Sequence, residues 1–182
     1  MKNYIFTLLL IFLTTEAFSS SKENIILSLK NIKNINFEFE QNINGKIEKG
    51  NCTIQYPKKI FCKYDLSNKK ILVSNGKTLV IKTITSYYLY PLERTPLYYI
   101  LNKKYLLSKI DDLEGRTIDN KFINFTFFEN DNEINVFFDK QTYNLIGWQT
   151  LDIYQNLSIT YLSSIIKNQN ISQNLFQLPE QN

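Results

Sequence analysis

The chain has 182 residues, with 21 Lys/Arg against 17 Asp/Glu, a formal net charge of +4 and no histidine. That length suits one domain able to bury about 70% of its unfolded surface. The missing histidine excludes most nucleophile–base triads and most catalytic zinc sites, and two cysteines cannot build a structural zinc site, so a binding protein is favoured over an enzyme with no metal or cofactor expected.

Met1-Lys2-Asn3 precedes an apolar run from Tyr4 to Leu13, followed by small residues at Ala17 and Ser19. A cation, a short apolar core and small residues predict a secretory signal cleaved after Ser19, because the run is about half of the roughly 20 apolar residues a spanning helix needs. Charge is uneven beyond it. Residues 20–109 hold 16 Lys/Arg against 6 Asp/Glu, and residues 110–182 hold 4 against 10. Such asymmetry can steer encounters with an acidic partner or anionic headgroups, or be no more than an uneven solvated surface.

Ser20 and Glu23 read as a capping box that opens a helix with Ile25, Ile26, Leu29 and Ile32 at helical spacing. From Asn36 the period becomes two, with Phe37 and Phe39 alternating against Glu38 and Glu40, and Asn44-Gly45 supplies a hairpin turn. Strands are predicted over 51–56 and 59–64 around Pro57-Lys58, then over 71–73 and 78–81 around Asn75-Gly76, and over 87–90. Thr95-Pro96 reads as cap and first helical residue of an inserted helix, with Leu97, Ile100, Leu101 and Tyr105 on one face and Lys103 and Lys104 exposed. Four further strands are predicted over 122–128, 133–139, 145–152 and 157–161. Short antiparallel strands spaced near ten residues indicate a barrel or a curved sheet.

Cys52 and Cys62 flank the Pro57-Lys58 turn on even positions, which share one face of a hairpin because side chains alternate with period two. Export makes a disulfide permissible, and cross-strand Cβ atoms lie close to bonding distance. The pair is expected to staple the hairpin. The apolar face of the curved sheet encloses either a packed core or a hollow that takes apolar ligands; periodicity leaves both open.

Specific residues then matter. A signal peptide and a first helix ending in Phe39-Glu40-Gln41 come first, Gly50 to Ile60 runs through Tyr56-Pro57, and Ile71-Leu72-Val73-Ser74-Asn75-Gly76-Lys77-Thr78-Leu79-Val80 forms a hairpin. Thr95-Pro96-Leu97 and a final Phe176-Gln177-Leu178-Pro179 follow in order. This ordered set resembles the LolA family of periplasmic lipoprotein carriers. The resemblance implies a mainly β, α+β fold: an unclosed curved antiparallel β-barrel with a helical lid over its concave apolar face. It implies residues 1–19 as a signal peptide and 20–182 as a single carrier domain, and no catalysis. It also implies a monomer that takes acylated lipoproteins from an inner-membrane ABC lipoprotein-release transporter and passes them to an outer-membrane receptor, with no nucleic acid involved.

On that resemblance the expected acyl-chain wall is Leu29, Ile54, Ile60, Leu72, Leu79, Leu97, Ile100, Leu101, Phe125, Phe127, Val136 and Phe138; read one by one, without the resemblance, each better suits an ordinary core. The family's lid-holding Arg is Tyr56 here, which offers one hydroxyl in place of a guanidinium fork and is read either as a lid contact or as hairpin packing. Trp148 beside Gly147 reads as core. Asp111, Asp112 and Glu114 are expected on a polar loop after the inserted helix, as solvated charge. Two rivals remain: an envelope lipid- or lipoprotein-sensing regulatory module of related shape, and a hydrolase built on a carboxylate dyad.

Overall fold

In the computed structural model, which describes residues 20–152 and 154–181, the chain enters on α1 (Ser21–Asn31). The expected capping box is in place. The Ser20 hydroxyl accepts from the Glu23 amide at 3.2 Å, and the Glu23 carboxylate accepts from the Ser20 amide at 2.8 Å, which satisfies two of the amides that a helix start leaves without partners. Ile25 and Leu29 turn inward from this helix. The expected signal sequence lies outside the described residues.

Six strands follow as a meander: β1 (Asn34–Ile43), β2 (Lys46–Gln55), β3 (Lys59–Tyr64), β4 (Ile71–Asn75), β5 (Thr78–Lys82) and β6 (Tyr87–Pro91). Their turns are those the sequence specifies. Asn44 and Gly45 take the left-handed conformation at φ 48° and 86°, and Gly76 takes it at φ 98° beside Asn75, whose side chain accepts from the amides of Lys77 and Thr78. Left-handed residues let a tight hairpin match the twist of its strands.

The inserted segment departs from one continuous helix. A 3-10 turn over Leu92–Arg94 leads into α2 (Leu97–Leu101) and then α3 (Lys103–Asp112), broken at Asn102. Thr95 is not a cap: its buried hydroxyl donates back to the Leu92 carbonyl at 2.7 Å. Asn102 is the residue that caps, accepting from the Tyr105 amide. Asp111 and Asp112 lie in the last turn of α3, not on a loop. A second meander completes the chain: β7 (Arg116–Ile118), β8 (Phe122–Glu129), β9 (Asn132–Asp139), β10 (Leu145–Leu151) and β11 (Leu157–Lys167). The short β7 is an addition to the strands expected from sequence.

All eleven strands pair antiparallel in one sheet, in the order β6-β5-β4-β3-β2-β1-β11-β10-β9-β8-β7. The first and last strands sew the two meanders together, and the outer strands β6 and β7 do not pair. The barrel is therefore unclosed, and residues 92–115, which carry the inserted helices, link its two edges. Helix α3 packs on β8, where Tyr105 meets Phe127 at 6.2 Å and Lys109 pairs with Glu129 at 2.8 Å. Helix α1 packs against α3, and together they lid the concave face. After β11 the chain crosses the outer side of the first meander. Phe176 is buried against β3 and β4, and the Tyr87 hydroxyl donates to the Pro179 carbonyl at 3.1 Å.

Candidate functional site: a cavity with one apolar and one polar end

Alternation along the strands sets what faces inward. On β2 the even residues Glu48, Gly50, Cys52 and Ile54 are buried while Lys49 and Asn51 are exposed, as a two-residue repeat requires. Antiparallel register then aligns these residues in rows across the sheet. Leu79, Ser74, Ile60, Ile54 and Ile35 form one row, and Ile81, Leu72, Cys62, Cys52 and Phe37 form the next. Tyr64, Gly50, Phe39 and Leu162 follow, and beyond them Glu48, Gln41, Thr160 and Trp148. The inner face thus grades from mostly apolar to mostly polar along the strand direction.

Over this gradient lies a cavity of about 430 Å³, within the range of about 300–1,000 Å³ typical of small-ligand sites. Ile60, Leu72, Leu79, Ile81, Trp148 and Leu97 contribute apolar wall, and both cysteines of the hairpin face it. Cys52 and Cys62 oppose one another directly in register, Cα to Cα 4.1 Å, with their sulfurs at bonding distance. The helices close the other half of the barrel with packed side chains. Four of the twelve wall residues expected from sequence, Ile60, Leu72, Leu79 and Leu97, line the cavity. The other eight, Leu29, Ile54, Ile100, Leu101, Phe125, Phe127, Val136 and Phe138, belong to the dense core beneath α1, α2 and α3. Phe125 and Phe138 meet there edge to face at 5.9 Å.

Tyr56 is placed beside the helices, away from the cavity. Its amide donates to the Lys33 carbonyl, and the Lys103 ammonium sits 5.7 Å from its ring. The Tyr56 hydroxyl is buried with no hydrogen-bond partner among the described residues, and burial pushes its pKa well above the usual phenol value. Lys103, expected to be exposed, instead turns its ammonium onto the Lys30 and Ile32 carbonyls at 3.1 and 2.8 Å. Burial draws its pKa below the ordinary lysine value.

The polar end holds residues that sequence reasoning passed over. Glu48 is 3% exposed; its carboxylate takes Lys46 at 3.0 Å and Lys70 at 2.5 Å. Burial alone would raise the Glu48 pKa, but the hydrogen bonds and charges of Lys70 and Lys46 outweigh it and hold the group below its usual 4.5. Lys70 also stands 4.1 Å over the Tyr64 ring. The Tyr64 hydroxyl donates to Gln41, whose amide donates to Ser158 at 2.9 Å and Thr160 at 3.4 Å. Burial, and next the charge of Glu48, push the Tyr64 phenol upward. The signal for these residues was present in the sequence: extending the even-numbered face of the hairpin back from Cys52 reaches Gly50 and Glu48.

The site is thus an open antiparallel half-barrel, lidded by helices and holding a pocket that is apolar at one end and polar at the other. Among the described residues no group of His, Cys, Asp or Glu side chains could hold a metal ion, and no helix is long and apolar enough to cross a membrane. The family model described as outer membrane lipoprotein carrier protein LolA matches residues 30–179, and the chain belongs to that family. No curated protein matches the chain. Among solved structures, an uncharacterized conserved protein from Thermus thermophilus shares the fold with a TM-score of 0.52 at 7% identity, over 86% of this chain and 93% of that one. A LolA superfamily protein from Nitrosomonas europaea gives 0.45 at 7% identity, covering 88% and 99%. LprF from Mycobacterium bovis gives 0.45 at 12% identity, covering 84% and 96%.

Proposed function

We propose that the protein is a periplasmic carrier that shelters the acyl chains of lipoproteins and ferries them from the inner to the outer membrane. Residues 1–19 act as a cleaved secretory signal and residues 20–182 as the carrier domain. The cargo comes from an inner-membrane ABC lipoprotein-release transporter and passes to an outer-membrane receptor, with no catalytic step. Membership in a family of lipoprotein carriers supports this reading, and the observation that carries it is the hollow itself. A hollow of about 430 Å³ with an apolar wall is of the size that takes a small apolar ligand such as a fatty acyl chain. Each methylene sheltered there is worth about 0.8 kcal/mol, so a chain cannot be left in water between membranes. A cargo with further chains requires the helices to shift off the packed half of the barrel.

Purified protein added to spheroplasts is expected to bring mature lipoproteins into the soluble fraction, and Leu72→Glu, which puts a charge on the apolar wall, is expected to abolish the release. Lipoproteins that stay with the membrane in the presence of the unmodified protein overturn the reading.

A further inference from the structure

The polar end of the cavity is a connected array. Gln41 on β1, Lys46 and Glu48 on β2, Tyr64 on β3, Lys70 just before β4, and Ser158 and Thr160 on β11 all line the same space. Two ammonium groups serve one carboxylate at Glu48, an excess of one positive charge within that cluster, while Asp152 balances the charge of the lining as a whole. Asp152, the other carboxylate on the lining, is engaged at the β10–β11 turn by the amides of Tyr154 and Asn156.

Donors outnumber acceptors here. An ammonium carries three N–H groups; Lys46 and Lys70 each place one on Glu48, and Lys70 turns another side to the Tyr64 ring. Ser158 and Thr160 accept from Gln41, which leaves their own hydroxyl protons for a ligand. The side-chain exposures of Lys70 and Lys46, 18% and 71%, set Lys70 deep and Lys46 near the solvent. Glu48 holds both cations at the wall. An incoming anion would join them without displacing anything, whereas an incoming cation would have to evict a lysine.

We propose that this end is a headgroup subsite for a phosphate-bearing acyl amphiphile: Lys70 and Lys46 bind the anion, Ser158 and Thr160 donate to its oxygens, and the acyl chain runs toward Ile60, Leu72, Leu79 and Leu97. The proposal rests on the reading of the cavity as an acyl-chain site and adds a preference among ligands. Low local dielectric strengthens these charge-assisted bonds, so the head fixes which way round a ligand enters.

Calorimetry of the full chain with dodecyl phosphate, dodecyl maltoside and dodecylammonium, below their micelle concentrations, tests it. Dodecyl phosphate is expected to bind about tenfold or more tightly than the neutral maltoside, the equivalent of one hydrogen bond to a charged group, and dodecylammonium the least. In the Glu48→Gln/Lys70→Gln double variant, whose two amides can still pair, the preference is expected to fall severalfold, Lys46 remaining, while maltoside affinity stays. Lys46→Gln, which removes an exposed ammonium and leaves Lys70 paired with Glu48, is expected to lower the preference severalfold. Equal affinities for the three heads, or a preference undiminished in both variants, overturn the subsite alone. Failure of all three amphiphiles to bind overturns the acyl-chain reading and the subsite with it.

Discussion

Lys22 and Lys103 cap each other's helices. Lys22, at the start of α1, donates to the Asp111 and Leu113 carbonyls at the end of α3, each at 3.1 Å. Lys103, at the start of α3, donates to the Lys30 and Ile32 carbonyls at the end of α1. The two helices run antiparallel, and each C-terminus, with its free carbonyls and partial negative charge, receives a cation from its neighbour. The lid is thereby fastened at both ends.

Replacing Lys103 with Met keeps the apolar stem and removes the cation, and is expected to lower stability by about 1–2 kcal/mol, the upper range for a partly buried cation at a helix end. Lys22→Met, with its ammonium partly shared with the exposed Glu114, is expected to cost about half as much. Urea denaturation measures both. Hydrogen exchange of the α1 amides is expected to accelerate more in the double variant than in either single one; unchanged exchange would show that the helices are held by packing alone.

The cysteine pair closes a loop of ten residues' separation within a hairpin that is already hydrogen-bonded. Chain-entropy arguments give such a loop about 2–3 kcal/mol when oxidised. Protein from an oxidising compartment is expected to show no free thiol by mass spectrometry before reduction, and Cys52→Ala/Cys62→Ala to unfold at correspondingly lower urea. Free thiols in the native protein, with no change in stability on substitution, would reduce the pair to two small apolar side chains on the cavity wall.

Much of this architecture was legible in the sequence because its signals are local. The Ser20–Glu23 box, the Asn44-Gly45 and Asn75-Gly76 turns and the Cys52/Cys62 register each depend on residues no more than ten positions apart, and the structure places them as expected. What sequence left open depends on contacts between distant segments. Whether Phe125 or Leu72 faces a void is decided by where the helices settle; α3 settles over β8 with α1 packed against it, and Phe125 joins the packed core while Leu72 is left at the hollow. Glu48 does not stand out in the sequence because its partner Lys70 lies 22 residues away. The inserted helix broke at Asn102 because its side chain starts a second helix, a competition that apolar spacing does not register.

Gly50 is held to glycine by space. A Cβ there would collide with the Lys63 carbonyl oxygen and stand 2.9 Å from both the Phe39 ring and the Tyr64 Cα. Phe39 and Tyr64 meet edge to face at 4.9 Å across this position. Backbone on one side leaves no flexible atom to give way, so Gly50→Ala is expected to cost about 1–3 kcal/mol or more, as overpacking of a filled interior does. The measurement is the urea midpoint, with near-ultraviolet circular dichroism reporting on the two rings. A neutral substitution would mean that β2 and β3 can separate there without loss.

The buried Glu48 makes stability depend on acid. Its folded pKa lies below the ordinary 4.5 because Lys70 and Lys46 outweigh the effect of burial. The ionised carboxylate therefore stabilises the fold fully above about pH 4.5, and that contribution fades as pH falls through the lowered folded value, where the native carboxyl must take up a proton. Glu48→Gln removes the contribution at every pH. The gap in unfolding free energy between the unmodified protein and Glu48→Gln is accordingly expected to be constant from neutrality down to about pH 5 and to shrink below pH 4.5. A gap that stays the same across the acid range would show that Lys46 and Lys70 do not stabilise the charge, and would leave the polar end of the cavity without the fixed cations that a headgroup needs.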